Sequence, residues 1–476
     1  MKNVFSTIRG ILLLFIFSAA FTLLAGEKPK YVFLFIGDGM AAPQRTIAEN
    51  YSVKVGLGKL AINHMPYTAP TTTRSANALV TDSAASGTAI ACGEKTNNGR
   101  IGMDASGKRK LESAAYVAKK NGKKVGIVSS VTINHATPAS FYAHRNSRSM
   151  YYEIGLDLIA SSFDYFGGGG FSSANNKKSL LYKGDLYELA RKAGYKVVRK
   201  DVKAFRSLTA ASGKVIACGR DGRLDPAIGA NGKSITLAEF TAKGIELLDN
   251  PNGFFLMVEG GAIDLYGHAN DAGANIHEVL DFNKAVLVAM KFAEKHPKET
   301  LIVVTGDHET GGMTMGFANS GYTFDPSILR HQKLALASFG YGVARHFRKD
   351  KGFNFEKCKA YMRKMLGFRF PADKVTNANK DHILLTAAEE KMLAEEFAAQ
   401  YGKKSVKGKT AGKKRKPNFA GKVRILLNKK AGISWTTASH TAMPVLTTSQ
   451  GCGAKLFTGK LDNTQIAQKM KLLLQK

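Results

Sequence analysis

Tyr31-Val32-Phe33-Leu34-Phe35-Ile36-Gly37-Asp38-Gly39 is an apolar run that stops at a carboxylate between two glycines. Continuous rather than alternating apolar residues read as a strand buried on both faces, the signature of a parallel sheet. Such a strand delivers the next residues of the chain to the carboxyl edge of the sheet, where α/β proteins place their ligands. A lone Gly-Asp-Gly is ordinarily a turn. Here the pattern recurs. Residues 124–129, 254–258 and 301–304 are also short apolar runs, and the last two lead into Glu259-Gly260-Gly261-Ala262-Ile263-Asp264 and Thr305-Gly306-Asp307-His308. Carboxylates at buried strand exits are costly unless something compensates them. The expected fold is α/β: a three-layer sandwich whose mixed, mainly parallel central sheet is flanked by helices.

The residue types at these exits suit metal binding. Asp264 and His268 are four apart, so on a helical turn they share a face and converge on one ion. Asp307 and His308 offer oxygen and nitrogen donors side by side. The stretch Val80-Thr81-Asp82-Ser83-Ala84-Ala85-Ser86-Gly87-Thr88-Ala89 reads as a loop entering a tightly packed helix. Ser83 at its N-terminus would face unpaired N–H groups and the positive end of the dipole, a setting that favours phosphate. Capping alone would explain an isolated Asp-Ser. No His-Asp relay is written beside Ser83, and a serine hydroxyl is a weak nucleophile unless a base or a metal activates it. An exposed helix is expected near Leu111 to Lys120; residues 131–138 then end in His135-Ala136-Thr137-Pro138, and His144, Arg145 and Arg148 come next.

Together, Asp38-Gly39, Thr81-Asp82-Ser83-Ala84-Ala85, His135-Ala136-Thr137-Pro138, Glu259-Gly260-Gly261 with Asp264 and His268, Thr305-Gly306-Asp307-His308 and Ser439-His440-Thr441 resemble the alkaline phosphatase family. The match runs in order from about residue 30 to 312 and resumes near 433. The resemblance implies hydrolysis of phosphate monoesters through a phosphoserine on Ser83, with two zinc ions and one magnesium ion. By the same resemblance Asp264, His268 and His440 hold the first zinc. Asp38, Asp307 and His308, with the Ser83 oxygen, hold the second, and Asp38, Thr137 and Glu259 the magnesium. Arg148 aligns with the arginine that grips phosphate, and Arg145 is the neighbouring alternative. Leu265 and His135 depart from residues common in the family at their positions, which bears on metal preference and pH optimum. A homodimer is implied by the family alone.

A chain of 476 residues with 44% hydrophobic and 22% charged residues has the composition of a large folded core rather than a disordered polymer. Lys2 and Arg9 before an apolar run that closes on Ala25-Gly26 predict a cleaved secretory signal over residues 1–26, and hence a periplasmic or secreted chain. Its removal would reduce the net charge from +32 by two, to +30. That surplus suits anionic substrates without naming a chemistry. Cys92, Cys218, Cys358 and Cys452 are too few for a disulfide scaffold, although one or two bridges are allowed.

Between residues 321 and 430 the family motifs are missing, and a helical insertion into the 27–476 domain is expected there. Thr386-Ala387-Ala388-Glu389 is a capping box opening a helix to Gln400, and residues 423–427 read as a strand. Lys403 to Lys416 carries eight basic residues in fourteen and no acid, a solvated run with weak polyanion binding as its functional reading. Two other functions fit parts of the pattern. A diesterase or sulfatase of the same superfamily would be expected to carry threonine or modified cysteine in place of Ser83. An inactive polyanion-binding surface protein would not need a complete ligand set.

Overall fold

The computed structural model describes residues 28–230, 232–318, 320–377, 381–402 and 417–475. The strands in chain order are β1 (Tyr31–Gly37), β2 (Tyr67–Thr72), β3 (Lys124–Thr132), β4 (Tyr165–Gly169), β5 (Tyr195–Arg199), β6 (Lys214–Arg220), β7 (Phe254–Gly260) and β8 (Thr300–Gly306). They continue with β9 (Glu309–Thr310), β10 (Met313–Met315), β11 (Phe368–Arg369), β12 (Ile383–Leu384), β13 (Ile433–Trp435), β14 (His440–Thr441), β15 (Val445–Gly451) and β16 (Leu461–Asp462). Ten of these form one sheet in the order β16-β2-β15-β8-β1-β7-β3-β4-β6-β5. Every pairing in it is parallel except those of β15 with β2 and β8. This is the α/β sandwich with a mixed, mainly parallel sheet.

β1 is central and its side chains alternate between two buried faces. Tyr31, Phe33 and Phe35 join one core with the helices Ala42–Lys54, Leu237–Leu248 and Ala272–Lys295. Val32, Leu34 and Ile36 join the other with the helices Ser83–Cys92, Ala114–Lys120 and Thr464–Leu474. Burial on both sides explains the unbroken apolar runs of β1, β7 and β8. Their register sets the site. Gly37 pairs with both Gly260 and Gly306, so three strand exits lie level at one edge.

Residues 326–430 add the helices Leu336–Lys349, Phe355–Leu366, Ala387–Tyr401 and Phe419–Lys430, whose apolar faces join the core that contains Phe33. The capping box at Thr386 forms, and Leu393 and Phe397 are buried. Two local expectations are corrected. Residues 423–427 are not a strand but lie inside Phe419–Lys430, because Asn418 caps the helix and Phe419, Val423, Leu426 and Leu427 bury one face at helical spacing. The helix near residues 111–120 is not exposed: it spans Ala114–Lys120, and Ala114, Ala115, Val117 and Ala118 are buried against the sheet. Cys92, Cys218 and Cys358 are buried free thiols. The signal over residues 1–26 and the run 403–416 lie outside the described residues. Among the described residues no helix is long and apolar enough to cross a membrane.

Candidate functional site

The level exits of β1, β7 and β8 bring Asp38, Glu259 and Asp307 to one buried place. Gly39 follows Asp38 in a left-handed turn, φ +72°, and donates its N–H to Asp307 Oδ1 at 3.0 Å. A Cβ there would lie 2.8 Å from the Cα of Asp264, so only glycine lets the two loops approach this closely. Glu259 Oε2 accepts from Ser129 Oγ on β3, and Thr137 Oγ1 donates to Asp38 Oδ2 at 3.4 Å.

Ser83 is not the cap of its helix. Asp82 is, accepting from the N–H of Ala85 at 3.0 Å, and this leaves the Ser83 hydroxyl 3.2 Å from His308 Nε2. Ser86 Oγ donates to the carbonyl of Asp307 at 2.6 Å and clamps the helix onto the β8 exit. Arg148 donates Nη1 to Asp82 Oδ2 at 3.0 Å and points Nη2 at His135 Nε2, 3.3 Å away. Arg145 instead grips both oxygens of Asp157. Of the two arginines, Arg148 is the one bonded to Asp82, the residue before Ser83.

Asp264 and His268 meet across one turn of the helix Ala262–His268, His268 Nε2 lying 3.3 Å from Asp264 Oδ2. His440 on β14 reaches the same point, with Nε2 3.1 Å from His268 Nε2 and 3.5 Å from Asp264 Oδ1. The other ring nitrogens are engaged: His268 Nδ1 lies 2.7 Å from the Ala438 carbonyl and His440 Nδ1 2.8 Å from that of Thr81. Such contacts fix the tautomer that leaves both Nε2 atoms available to an ion. Donors on a tetrahedral ion at roughly 2.0–2.1 Å stand about 3.3 Å apart, close to what is seen here.

The His and carboxylate groups form a chain of overlapping sets. Asp264, His308 and His440 make one, Asp38, Asp307 and His308 the next, and Asp38, His135 and Glu259 the third. Asp38 Oδ1, Asp307 Oδ2, Glu259 Oε1 and His135 Nδ1 are shut from solvent with no hydrogen-bond partner among the described residues. Buried, orphaned carboxylate oxygens facing one another suit divalent cations and little else. The donor set therefore fits a three-ion centre.

Electrostatics agree. Burial, then the Asp307 charge, pushes Asp38 well up. Burial raises Glu259 to about 8 and Asp307 to about 7. Without a cation Asp38 and Glu259 hold their protons at neutral pH and Asp307 holds its own in part; a bound cation would favour the ionised form of each. Burial holds His308 well below its ordinary value, hence neutral and able to donate a lone pair. Burial, reinforced by Arg148, lowers His135 to about 4. At the outer set the sign reverses. Burial opposes ionisation of Asp264, but bonds from His268 and His440 outweigh it and hold the acid well down. The bond to Asp264 lifts His268 to about 9.

The alkaline phosphatase family model matches residues 29–476. The chain belongs to that family. Alkaline phosphatase 3 of Bacillus subtilis is 31% identical over 463 residues, covering 94% of this chain and 90% of that one. Alkaline phosphatase 4 of the same organism is 32% identical over 400 residues, or 82% and 75%. The cold-active enzyme of a Shewanella species superposes with a TM-score of 0.77 at 27% identity, over 94% of this chain and all of that one. The alkaline phosphatase of Thermus thermophilus superposes at 0.75 and 25%, over 94% and 91%. The chain is accordingly a phosphate monoester hydrolase of a metal-dependent family.

The structure adds partners that the motifs do not reveal. Thr310 Oγ1 donates to Asp264 Oδ1 at 2.5 Å and lies 3.2 Å from His308 Nδ1. A signal for it is present: Thr310 stands two residues after His308 in an extended stretch, so both side chains face the same way. Ser129 on Glu259 and Asp82 on Arg148 carry no such signal, since each pairing crosses between elements. Leu265, the apolar departure, is 37% exposed.

Proposed function

We propose that this chain converts phosphate monoesters to alcohol and inorganic phosphate outside the cytoplasm, through a phosphoserine on Ser83, using two zinc ions and one magnesium ion. The observation that carries this reading is the placement of Ser83 Oγ against His308 at the edge where three buried carboxylates present orphaned oxygens. Asp264, His268 and His440 would hold the first zinc, Asp38, Asp307 and His308 beside Ser83 the second, and Asp38, Thr137 and Glu259 the magnesium, with His135 within reach of the last. When bound, these ions neutralise charge on the transferring phosphoryl group and lower the pKa of the oxygens they touch.

The remaining steps rest on the chain itself. The N-terminus of Ser83–Cys92 turns its free N–H groups toward a phosphate oxygen, and Arg148, steadied by Asp82, offers a planar two-pronged donor. Ser83 Oγ gives up its proton and bonds to phosphorus, the ester P–O bond opposite breaks, and the departing oxygen gains a proton to become the alcohol. Water then attacks phosphorus and loses a proton, the P–Oγ bond breaks, and Ser83 recovers its hydroxyl hydrogen. Ser83 and Arg148 are thus the catalytic residues.

A cleaved signal over 1–26 and a 27–476 domain with a family-variable insertion at 321–430 complete the reading, with a homodimer expected from the family and weak polyanion binding through 403–416 from its charge. The test compares turnover of a phosphate monoester, a phosphodiester and a sulfate ester sharing one leaving group, alongside elemental analysis of the purified enzyme. Preference for the monoester with zinc and magnesium present supports the reading. Preference for the diester or sulfate, or full activity after exhaustive chelation, contradicts it.

A further inference from the structure

The described residues hold a fourth His/Asp group that shares no member with the catalytic sets: His331, Asp381 and His382. His331 closes the short 3-10 helix Pro326–His331, while Asp381 and His382 stand directly before β12. Gly367 joins the two places. It terminates the helix Phe355–Leu366 in the left-handed region at φ +70°, and its carbonyl accepts from the N–H of Ile383 at 3.0 Å. β11 then pairs with β12, Phe368 against Ile383. The space that a side chain at Gly367 would need is taken by His331, whose Cβ is 2.3 Å from that position. A glycine is required here so that His331 can pack beside His382.

The result is two stacked imidazoles, centroids 3.9 Å apart and planes at 19°, sharing one carboxylate. His331 Nε2 is 3.4 Å from Asp381 Oδ2, and His382 Nδ1 is 3.4 Å from Asp381 Oδ1. Neither contact has hydrogen-bond geometry, and both nitrogens are shut from solvent without a hydrogen-bond partner among the described residues. Two desolvated lone-pair donors and a carboxylate at the spacing of ligands on a common ion are what a metal site looks like before the ion is placed. Side-chain exposure of 39% at Asp381 supplies an entry path.

We propose that His331, Asp381 and His382 bind a divalent transition metal of the zinc class, independently of the catalytic centre, and so tie the Pro326–His331 turn to the β11–β12 ladder. Imidazole and carboxylate donors select such ions over magnesium or calcium. Three protein ligands leave a fourth position for water or an exchangeable donor. The competing cation is Arg330, whose Nη1 lies 3.5 Å from Asp381 Oδ2 and whose Nε and Nη2 donate to the Ser327 carbonyl and hydroxyl at 3.0 and 3.3 Å, so that an arriving ion displaces only its contact with Asp381.

The test uses the full chain with its catalytic ions in place. Crystals grown with added zinc are measured above and below the zinc absorption edge, and metal per chain is determined for wild type, His382→Gln and Arg330→Ala. The expected outcome is an anomalous peak between His331, Asp381 and His382, one ion per chain fewer in His382→Gln with turnover of a small monoester unchanged, and tighter uptake of that ion in Arg330→Ala. An anomalous map with zinc at the catalytic centre alone overturns the proposal, and so does equal metal content in wild type and His382→Gln. The map on wild type needs no variant and decides the matter if a substitution prevents folding.

Discussion

Thr310 uses one hydroxyl to orient both a carboxylate and an imidazole, donating to Asp264 Oδ1 and facing His308 Nδ1. Loss of such a supporting contact typically costs 10- to 100-fold in metal affinity. Thr310→Val should therefore weaken ion binding by about that factor, read by chelator competition, while turnover at saturating metal stays close to wild type. Arg148 poses a different question, because lysine keeps the charge and loses the planar fork. Arg148→Lys should reduce kcat/KM by roughly 10- to 100-fold, the equivalent of one charge-assisted hydrogen bond of about 1.5–3 kcal/mol, and weaken inhibition by inorganic phosphate in parallel. Unchanged phosphate inhibition would remove Arg148 from the phosphate grip. Most of the proposed ligands are legible in the sequence, because packing alone rarely puts carboxylates and imidazoles at the ends of buried strands. Thr310, Ser129 and Asp82 are not, since a hydroxyl or a capping acid looks the same whether it serves its own turn or a neighbour's side chain.

β1, β7 and β8 show why strand register matters more here than strand identity. Gly37 sits level with Gly260 and Gly306, and a slip of one residue would send Asp38, Glu259 or Asp307 to the opposite face. Gly39 is the turn on which that alignment depends. Gly39→Ala forces a side chain into the left-handed region, a cost of about 1–2 kcal/mol, and drives its methyl against the backbone of Asp264. Both stability to urea and bound metal should fall. A variant that unfolds earlier yet retains the wild-type metal content would show that the approach of Gly39 to Asp264 does not matter to the site. The parallel strands are readable because burial on both faces leaves unbroken apolar runs. Residues 423–427 mislead for the same reason: Val-Arg-Ile-Leu-Leu suits either a buried strand or a helix face, and the deciding features, the Asn418 cap and the pairing of Phe419 with Val423, lie outside the run.

Across the whole molecule the buried charges make stability depend on the ions. In the metal-free chain Glu259 holds its proton to about 8, Asp307 to about 7 and His268 to about 9, each above its unfolded value. From about pH 7.5, a unit above the ordinary imidazole value of about 6.5, the lowered imidazoles His135 and His308 are neutral in both states and drop out. The folded form then binds more protons than the unfolded form, so stability must fall as pH rises from about 7.5 to 9. Calorimetry of chelated enzyme should show Tm declining over that window, and the decline should be shallower in the metal-loaded enzyme, where buried Glu278, raised to about 8 and outside the ligand sets, still contributes. A Tm of the chelated enzyme that rises with pH there would contradict the protonation states. The positive surplus gives a further expectation. Replacing residues 403–416 by a Gly/Ser linker should leave a small monoester unaffected and slow multiply charged substrates, with the difference shrinking as salt shortens the Debye length below about 10 Å. The central claim, that Ser83 carries the phosphoryl group, is tested most directly by acid-quenching the enzyme during turnover of a monoester and mapping phosphate by mass spectrometry. The account predicts a single phosphorylated site at Ser83, absent from Ser83→Ala, which should keep its fold and most of its metal while losing on the order of 10³-fold or more in turnover. Turnover with no covalent phosphate on Ser83, or near-normal activity in Ser83→Ala, would contradict it.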